Sequence, residues 1–258
     1  MCYDISYKTD IEYLEEYFPE VVIDNWIEID FSITVHRMAH SFLKNPVIIK
    51  EDGVYKLKMF EWGLIASYMN TPEKIKKQRA FMCNARAEKV LDKSYWNSIR
   101  SKRCLIPVIG IYEHRNVNSK KIPYYITLKK RKMFCLPGLY NYSTVPDENG
   151  ELTGTFTVVT RKANSIMSKI HNSGENKQRM PLFLTKELEI KWLNNDLIDE
   201  ELQDILNYEY PSEEIDYWAV NTIRTNKLRP DGKLKNEPWD WPLLPDLDVE
   251  ENSQGSLF

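Results

Sequence analysis

Apolar and polar residues alternate along VYKLKMFEW at 54–62, the period-two pattern of a strand with one buried face. RCLIPVIGIYE (103–113), PYYITL (123–128), KMFCLPGLY (132–140) and GTFTVVT (154–160) are rich in β-branched and aromatic residues and predict further strands. PDENG at 146–150 has the composition of a turn between the last two. Elsewhere the period lengthens. DIEYLEEYF (10–18) has apolar residues at helical spacing behind an aspartate able to cap them. TRKANSIMSKIH (160–171), TKELEIKWLNNDL (185–197) and EELQDILNYEY (200–210) also predict helices. Many strands on short turns with a few helices predict an α+β domain over 1–235. Its core would be a mainly antiparallel sheet or open β-barrel with flanking helices. From 236 the chain is rich in proline and acid and has no periodicity, so 236–258 reads as a flexible, extended acidic tail.

The chain has 258 residues, 42% of them hydrophobic, enough for one large domain or two small ones. No apolar run approaches the roughly 18 residues of a membrane span. MCYDISYKTD at the start lacks a basic region followed by a hydrophobic stretch, so the expected location is the cytoplasm, a reducing compartment. Cys2, Cys83, Cys104 and Cys135 have no CxxC spacing, which suggests neither a zinc site nor a disulfide framework. The last three read as small buried hydrophobes. A net charge of −3 argues against nucleic acid until its placement is considered. Residues 70–135 carry 17 Lys and Arg against 4 Asp and Glu, and residues 237–258 carry six acids and no base. That asymmetry suits a basic binding face with an acidic tail, although KKRK at 129–132 by itself reads as a solvated turn.

Cys2 stands out by its address. If Met1 is removed, Cys2 carries an α-amine (reference pKa about 7.7–8.0) next to a thiol (about 8.5), both partly reactive at neutral pH. An aldehyde can form a Schiff base with that amine and then a five-membered thiazolidine with the thiol. An internal cysteine cannot do this, because its nitrogen is locked in an amide. Asn84 and Arg86 lie in NAR at 84–86, Glu113 ends an apolar strand, and Thr160 and His171 bracket a strand–helix segment. Arg179 follows in QRMPLFL. A carboxylate at a strand end is either exposed at a turn or held where its pKa is tuned. Cys2, His171 and Glu113 also have the composition of a cysteine-protease triad. His36 and His40, four apart in HRMAH, would share a helix face, but no third metal ligand is evident, and they read as ordinary surface or core histidines.

In chain order, MC at the start, WGL at 62–64, NAR at 84–86, G-x-Y-E at 110–113, T-x-x-A-N at 160–164, and His171 followed by RMP at 179–181 resemble the SRAP (SOS response-associated peptidase) family. The resemblance spans residues 1 to about 225. It implies a monomeric covalent trap for abasic sites in single-stranded DNA, needing no metal or organic cofactor, with self-removal of Met1. Cys2 would form the thiazolidine, Asn84 would hold the Cys2 end in place, and Glu113 and His171 would act as general acid and base. Arg86 and Arg179 would clamp phosphates, with Thr160 a supporting donor to the backbone. The 62–69 segment, from Trp62, would form a loop for base stacking, with Tyr68 the main platform.

The chain also departs from the family pattern. It begins MCYD where many relatives begin MCGR, and an aspartate at position 4 would repel a DNA backbone. Ala66 stands where proline is usual, and NSGENKQ (172–178) lengthens the link from His171 to Arg179. The final QGSLF resembles peptides that dock on the bacterial replicative sliding clamp, with Gln254 for polar contacts and Leu257 and Phe258 for an apolar pocket. A cysteine hydrolase acting on peptides in trans and a non-covalent reader of damaged or modified DNA are the alternatives.

Overall fold

Side-chain alternation along the strands builds two cores from one wall of sheet. Ile49, Ile106 and Val158 face one core together with Ile5, Ile111 and Ile126. Their chain neighbours Ile48, Leu105 and Val159 face the other, which also holds Trp192, Leu202 and Leu206. The structure is a computed structural model that describes residues 2–7, 11–23, 34–92, 94–225 and 227–247.

The strands are β1 (Asp4–Tyr7), β2 (Val22–Ile23), β3 (Thr34–Met38), β4 (Lys44–Glu51), β5 (Val54–Trp62), β6 (Asn84–Arg86), β7 (Arg103–Val108), β8 (Gly110–Val117), β9 (Lys120–Leu128), β10 (Phe134–Tyr142), β11 (Gly154–Lys162), β12 (Arg179–Pro181) and β13 (Ile215–Ala219). The order β11-β10-β7-β4-β5 is antiparallel, and a parallel pairing of β11 with β5 closes it into a ring. The expected barrel is therefore closed, at Thr155↔Glu61 and Phe156↔Trp62. A second, wholly antiparallel sheet runs β13-β9-β8-β1-β3. The segment 103–113, predicted as one strand, is two: β7 belongs to the barrel and β8 to the second sheet, with the switch at Ile109, whose N–H donates to the Ser6 carbonyl at 2.9 Å.

Helices flank these sheets: α1 (Ile11–Tyr17), α2 (Pro72–Gln78), α3 (Ala87–Val90), α4 (Tyr95–Ser98), α5 (Ser165–Ile170), α6 (Lys186–Trp192) and α7 (Asp199–Asn207). The helix predicted over 160–171 starts late because residues 160–162 remain in β11. The Asn164 side chain caps α5 by accepting from the Met167 N–H at 3.1 Å. His36 and His40 share no helix face: His36 lies in β3 and His40 in the short turn of helix that follows. No described helix is long and apolar enough to cross a membrane.

The expected tail is not extended over its first half. The Trp239 N–H donates to the Ala219 carbonyl and Trp241 Nε1 to the Val220 carbonyl, both at 2.9 Å. Arg115 donates to the Pro245 carbonyl at 2.6 Å, and Leu247 is buried. A chain without periodicity can still bury scattered Trp and Leu side chains along a sheet edge when its backbone groups find partners there. Residues 248–258 lie outside the described residues, and with them Gln254, Leu257 and Phe258.

β10 sits between β7 and β11 with no slack at Gly138. A Cβ there would lie 2.5 Å from the Thr157 carbonyl oxygen, 2.7 Å from Ile106 Cδ1 and 3.0 Å from Cys104 Sγ. Gly138→Ala is expected to destabilise the barrel by about 1–3 kcal/mol or more, read as a lower thermal midpoint. An unchanged midpoint would show that the wall can yield.

Candidate active site

The chain enters β1, which lies between β8 and the edge strand β3 of the second sheet, and this places Cys2 beside Asn84 of the barrel. Cys2 is fully buried, and Asn84 Nδ2 donates to its carbonyl at 2.9 Å. Asn84 is delivered by β6, a three-residue strand pairing parallel to β11 at Val158↔Asn84. Glu113 comes from β8, next to β1. His171 is the C-cap of α5, and its Nδ1 lies 2.8 Å from the Arg179 carbonyl. A carbonyl only accepts, so Nδ1 carries the proton and Nε2 presents its lone pair towards Glu113, 4.0 Å from Oε2.

That contact is not an ordinary ion pair. Burial pushes the Glu113 carboxyl up to about 7 and the His171 imidazole down to about 4. At neutral pH the imidazole is uncharged and the carboxyl is near half-protonation, a state suited to exchanging protons. Burial also pushes the Cys2 thiol well above its ordinary value, and the neighbouring Glu113 adds to the effect. Cys2 is therefore a thiol, not a thiolate, in the folded chain.

Above these groups lies a cavity of about 250 Å³ walled by Tyr3, Asp4, Glu113, His114, Lys121, His171, residues 173–176 and Arg224. The lengthened 172–178 segment thus forms one rim. It also reaches Arg86, whose guanidinium donates to Asn176 Oδ1 at 3.1 Å.

Several expected roles change. Trp62 is fully buried, stacked on Phe156 with ring centroids 5.9 Å apart, and donates from Nε1 to the Cys83 carbonyl. It closes the barrel and offers no face to a base. The chain then turns away at Gly63, where φ is +99° and the Phe42 ring fills the place of a Cβ. Beyond that turn Tyr68 is half exposed, set edge-on against Tyr95. Thr160 is fully buried and donates to the Ala85 carbonyl, so its hydroxyl does not meet a strand directly. Its carbonyl accepts from Arg179 at 2.8 Å. Arg179 in turn pairs bidentately with Glu88, both contacts at 2.9 Å, and its side chain is only 12% exposed. Its clearest duty in this arrangement is to hold the segment whose carbonyl orients His171.

Asp4 does not face a DNA strand as a bare charge either. It is 2% exposed, accepts from His36 at 2.8 Å, and is gripped by Arg224 through Nε at 3.2 Å and Nη2 at 2.5 Å. Burial alone would raise this carboxyl, but the His36 and Arg224 hydrogen bonds outweigh it and hold it below its ordinary value. Arg224 escaped the sequence reading because it lies 220 residues from Asp4, and no spacing rule links such positions. The aromatic-rich stretch IDYWA before it, at 215–219, was the one available signal that this stretch returns to the sheet.

A closed α+β barrel backed by a second sheet, with a cysteine at the head of the chain and a carboxyl–imidazole pair at the seam, defines the class of protein. The family model "SOS response associated peptidase (SRAP)" matches residues 1–226, and the chain belongs to that family. It is 34% identical over 178 residues to the Bacillus subtilis abasic site processing protein YoqW, covering 68% of this chain and 74% of the relative. It is 28% identical over 190 residues to the Xenopus tropicalis abasic site processing protein HMCES, covering 66% and 54%. A Bacteroides thetaiotaomicron crystal structure superposes with a TM-score of 0.75 at 31% identity, covering 92% of this chain and 97% of that one.

Proposed function

We propose that this protein processes abasic sites in single-stranded DNA by capturing them covalently through Cys2. The observation that carries this reading is the seating of Cys2: Asn84 holds its carbonyl, while Glu113 and His171 line the cavity walled by its neighbours Tyr3 and Asp4. The relatives' names, abasic site processing protein, support the choice of DNA lesion.

Removal of Met1, with the same site acting on the bond before Cys2, frees the α-amine. His171, uncharged at neutral pH, accepts the proton released as the abasic sugar opens to its aldehyde. The amine adds to the aldehyde carbon, and protonated Glu113 assists the departing hydroxyl, which leaves as water. The thiol then adds to the imine carbon and its proton passes to nitrogen. One aldehyde and one cysteine thus give one thiazolidine and one water. A buried thiol that keeps its proton suits this order, with the amine acting first. Exposed Arg86 supplies a phosphate contact and Tyr68 a stacking face, while Arg179 and Thr160 support the site from behind.

A peptidase acting in trans through a Cys2 thiolate has the thiol's burial against it, since such enzymes depend on a depressed thiol pKa. Mixing the purified protein with single-stranded DNA bearing one abasic site is expected to give a heat-stable species. Its mass is that of the Met1-less protein plus the DNA less one water. Protein with a free Cys2 amine that yields no such species overturns the reading.

A further inference from the structure

Of the charged groups around the cavity lined by Glu113 and His171, Arg224 has no part in the chemistry above, yet much of the local structure serves to hold it. Its loop is clamped from below: Lys235 Nζ donates to the Ile223 carbonyl at 2.8 Å and to the Thr225 carbonyl at 2.7 Å. Ile223 itself is buried. From the side, buried Asp4 grips the guanidinium through Nε and Nη2. The Arg224 side chain nevertheless remains 51% exposed and walls the cavity together with Lys121 and His114.

An exposed arginine would ordinarily sample many rotamers. Here a bidentate carboxylate and a clamped loop fix it, so little ordering entropy is left to lose when an anion arrives. Asp4 also lines the cavity, but it is satisfied by two partners, His36 and Arg224, and its side chain is only 3% exposed. Lys121, exposed on β9, adds a second positive charge to the same wall. Glu113 is near half-protonation at neutral pH, so it opposes an anion less than a full carboxylate would. Glu175 on the facing rim is the one exposed acid lining the cavity.

We infer that Arg224, pre-set by Asp4 and assisted by Lys121, binds a backbone phosphate flanking the abasic nucleotide and so sets the lesion over Cys2. This rests on the DNA-capture reading and assigns it an anion subsite. Asp4 becomes a positioning residue for a cation, the reverse of the repulsion that position 4 suggests in the sequence.

The test measures equilibrium binding to single-stranded DNA carrying a tetrahydrofuran abasic analogue, which has no aldehyde and cannot be captured, over a range of salt. Arg224→Gln is expected to weaken binding about tenfold at low salt and to make the slope of log K against log salt shallower by about 0.7. A merely structural role would leave that slope unchanged. Because Arg224→Gln strands a buried aspartate, the Asp4→Asn/Arg224→Gln pair is measured beside it and is expected to show the same shallower slope with a wild-type melting midpoint. Replacing the 5′ or the 3′ phosphate of the lesion by a neutral methylphosphonate is expected, on one side, to cancel the effect of Arg224→Gln. Wild-type slope and affinity in both variants overturn the subsite while leaving the capture reading intact if wild type still forms its adduct. A wild-type protein that neither binds the analogue nor forms an adduct overturns both.

Discussion

Cys2→Ser protein is expected to form no heat-stable adduct with abasic single-stranded DNA, while binding the tetrahydrofuran analogue within about twofold of wild type, since the exchange removes no charge that neutralises a phosphate. Serine is close to isosteric with cysteine, so the Asn84 hydrogen bond to the residue-2 carbonyl should survive. With Met1 removed beforehand by an added aminopeptidase, the variant has the same free α-amine, so the Schiff base still forms, but the hydroxyl is a poorer nucleophile for closing a ring. Adding borohydride, which delivers hydride to the imine carbon, should therefore restore a stable link in Cys2→Ser to nearly the wild-type yield. The pair of results separates the two nucleophiles. A heat-stable adduct in Cys2→Ser without reductant places the chemistry on another residue. A loss that borohydride cannot rescue removes the amine from the mechanism.

Glu113→Gln protein should be slower and more stable at once. The carboxyl is buried with its pKa raised to about 7 from an ordinary value of about 4.5. Between those pH values the folded chain holds a proton that the unfolded chain has released. The contribution of Glu113 to stability therefore falls as pH rises through this window and is least favourable above it. Glutamine cannot ionise. At pH 8 Glu113→Gln is expected to be stabilised by an amount on the order of 3 kcal/mol, seen as a higher melting midpoint, and below pH 4.5 the two proteins should melt together. His171, with its value lowered to about 4, contributes in the opposite direction in both proteins and drops out of the comparison. Removing a general acid should slow adduct formation by about 10²–10⁴-fold, and the decline of the wild-type rate above about pH 7 should vanish in the variant. A variant less stable than wild type at pH 8 would show that the carboxylate is the form the fold favours.

The gain in stability and the loss in rate have one cause. Glu113 is buried at the seam between the barrel and the second sheet, and that burial both penalises the charged carboxylate and keeps it protonated where the chemistry would use it. The same burial keeps Cys2 a thiol, which distinguishes this site from that of a thiolate peptidase.

Much of this was written in local pattern. Alternation at 54–62 and β-branched, aromatic content at 154–160 marked β5 and β11, the first a strand with one face buried and the second a strand buried on both. The cysteine following Met1, NAR at 84–86, Glu113 and His171 were recognisable as an ordered set, and the fold gathers all four at one seam. Other features depended on contacts between residues far apart in the chain, where composition carries no distance information. The WGL motif could not reveal that Trp62 is spent on closing the barrel against Phe156, since that pairing is set by strand register across 94 positions of sequence. Proline and acid at 237–247 resemble a loose tail until the edge strand they dock against is in place. Asp4 read as a misplaced negative charge because its sign depends on Arg224 and His36, which only folding brings to it. The identity of the reacting groups is local chemistry; their protonation, exposure and net charge are properties of the assembled seam.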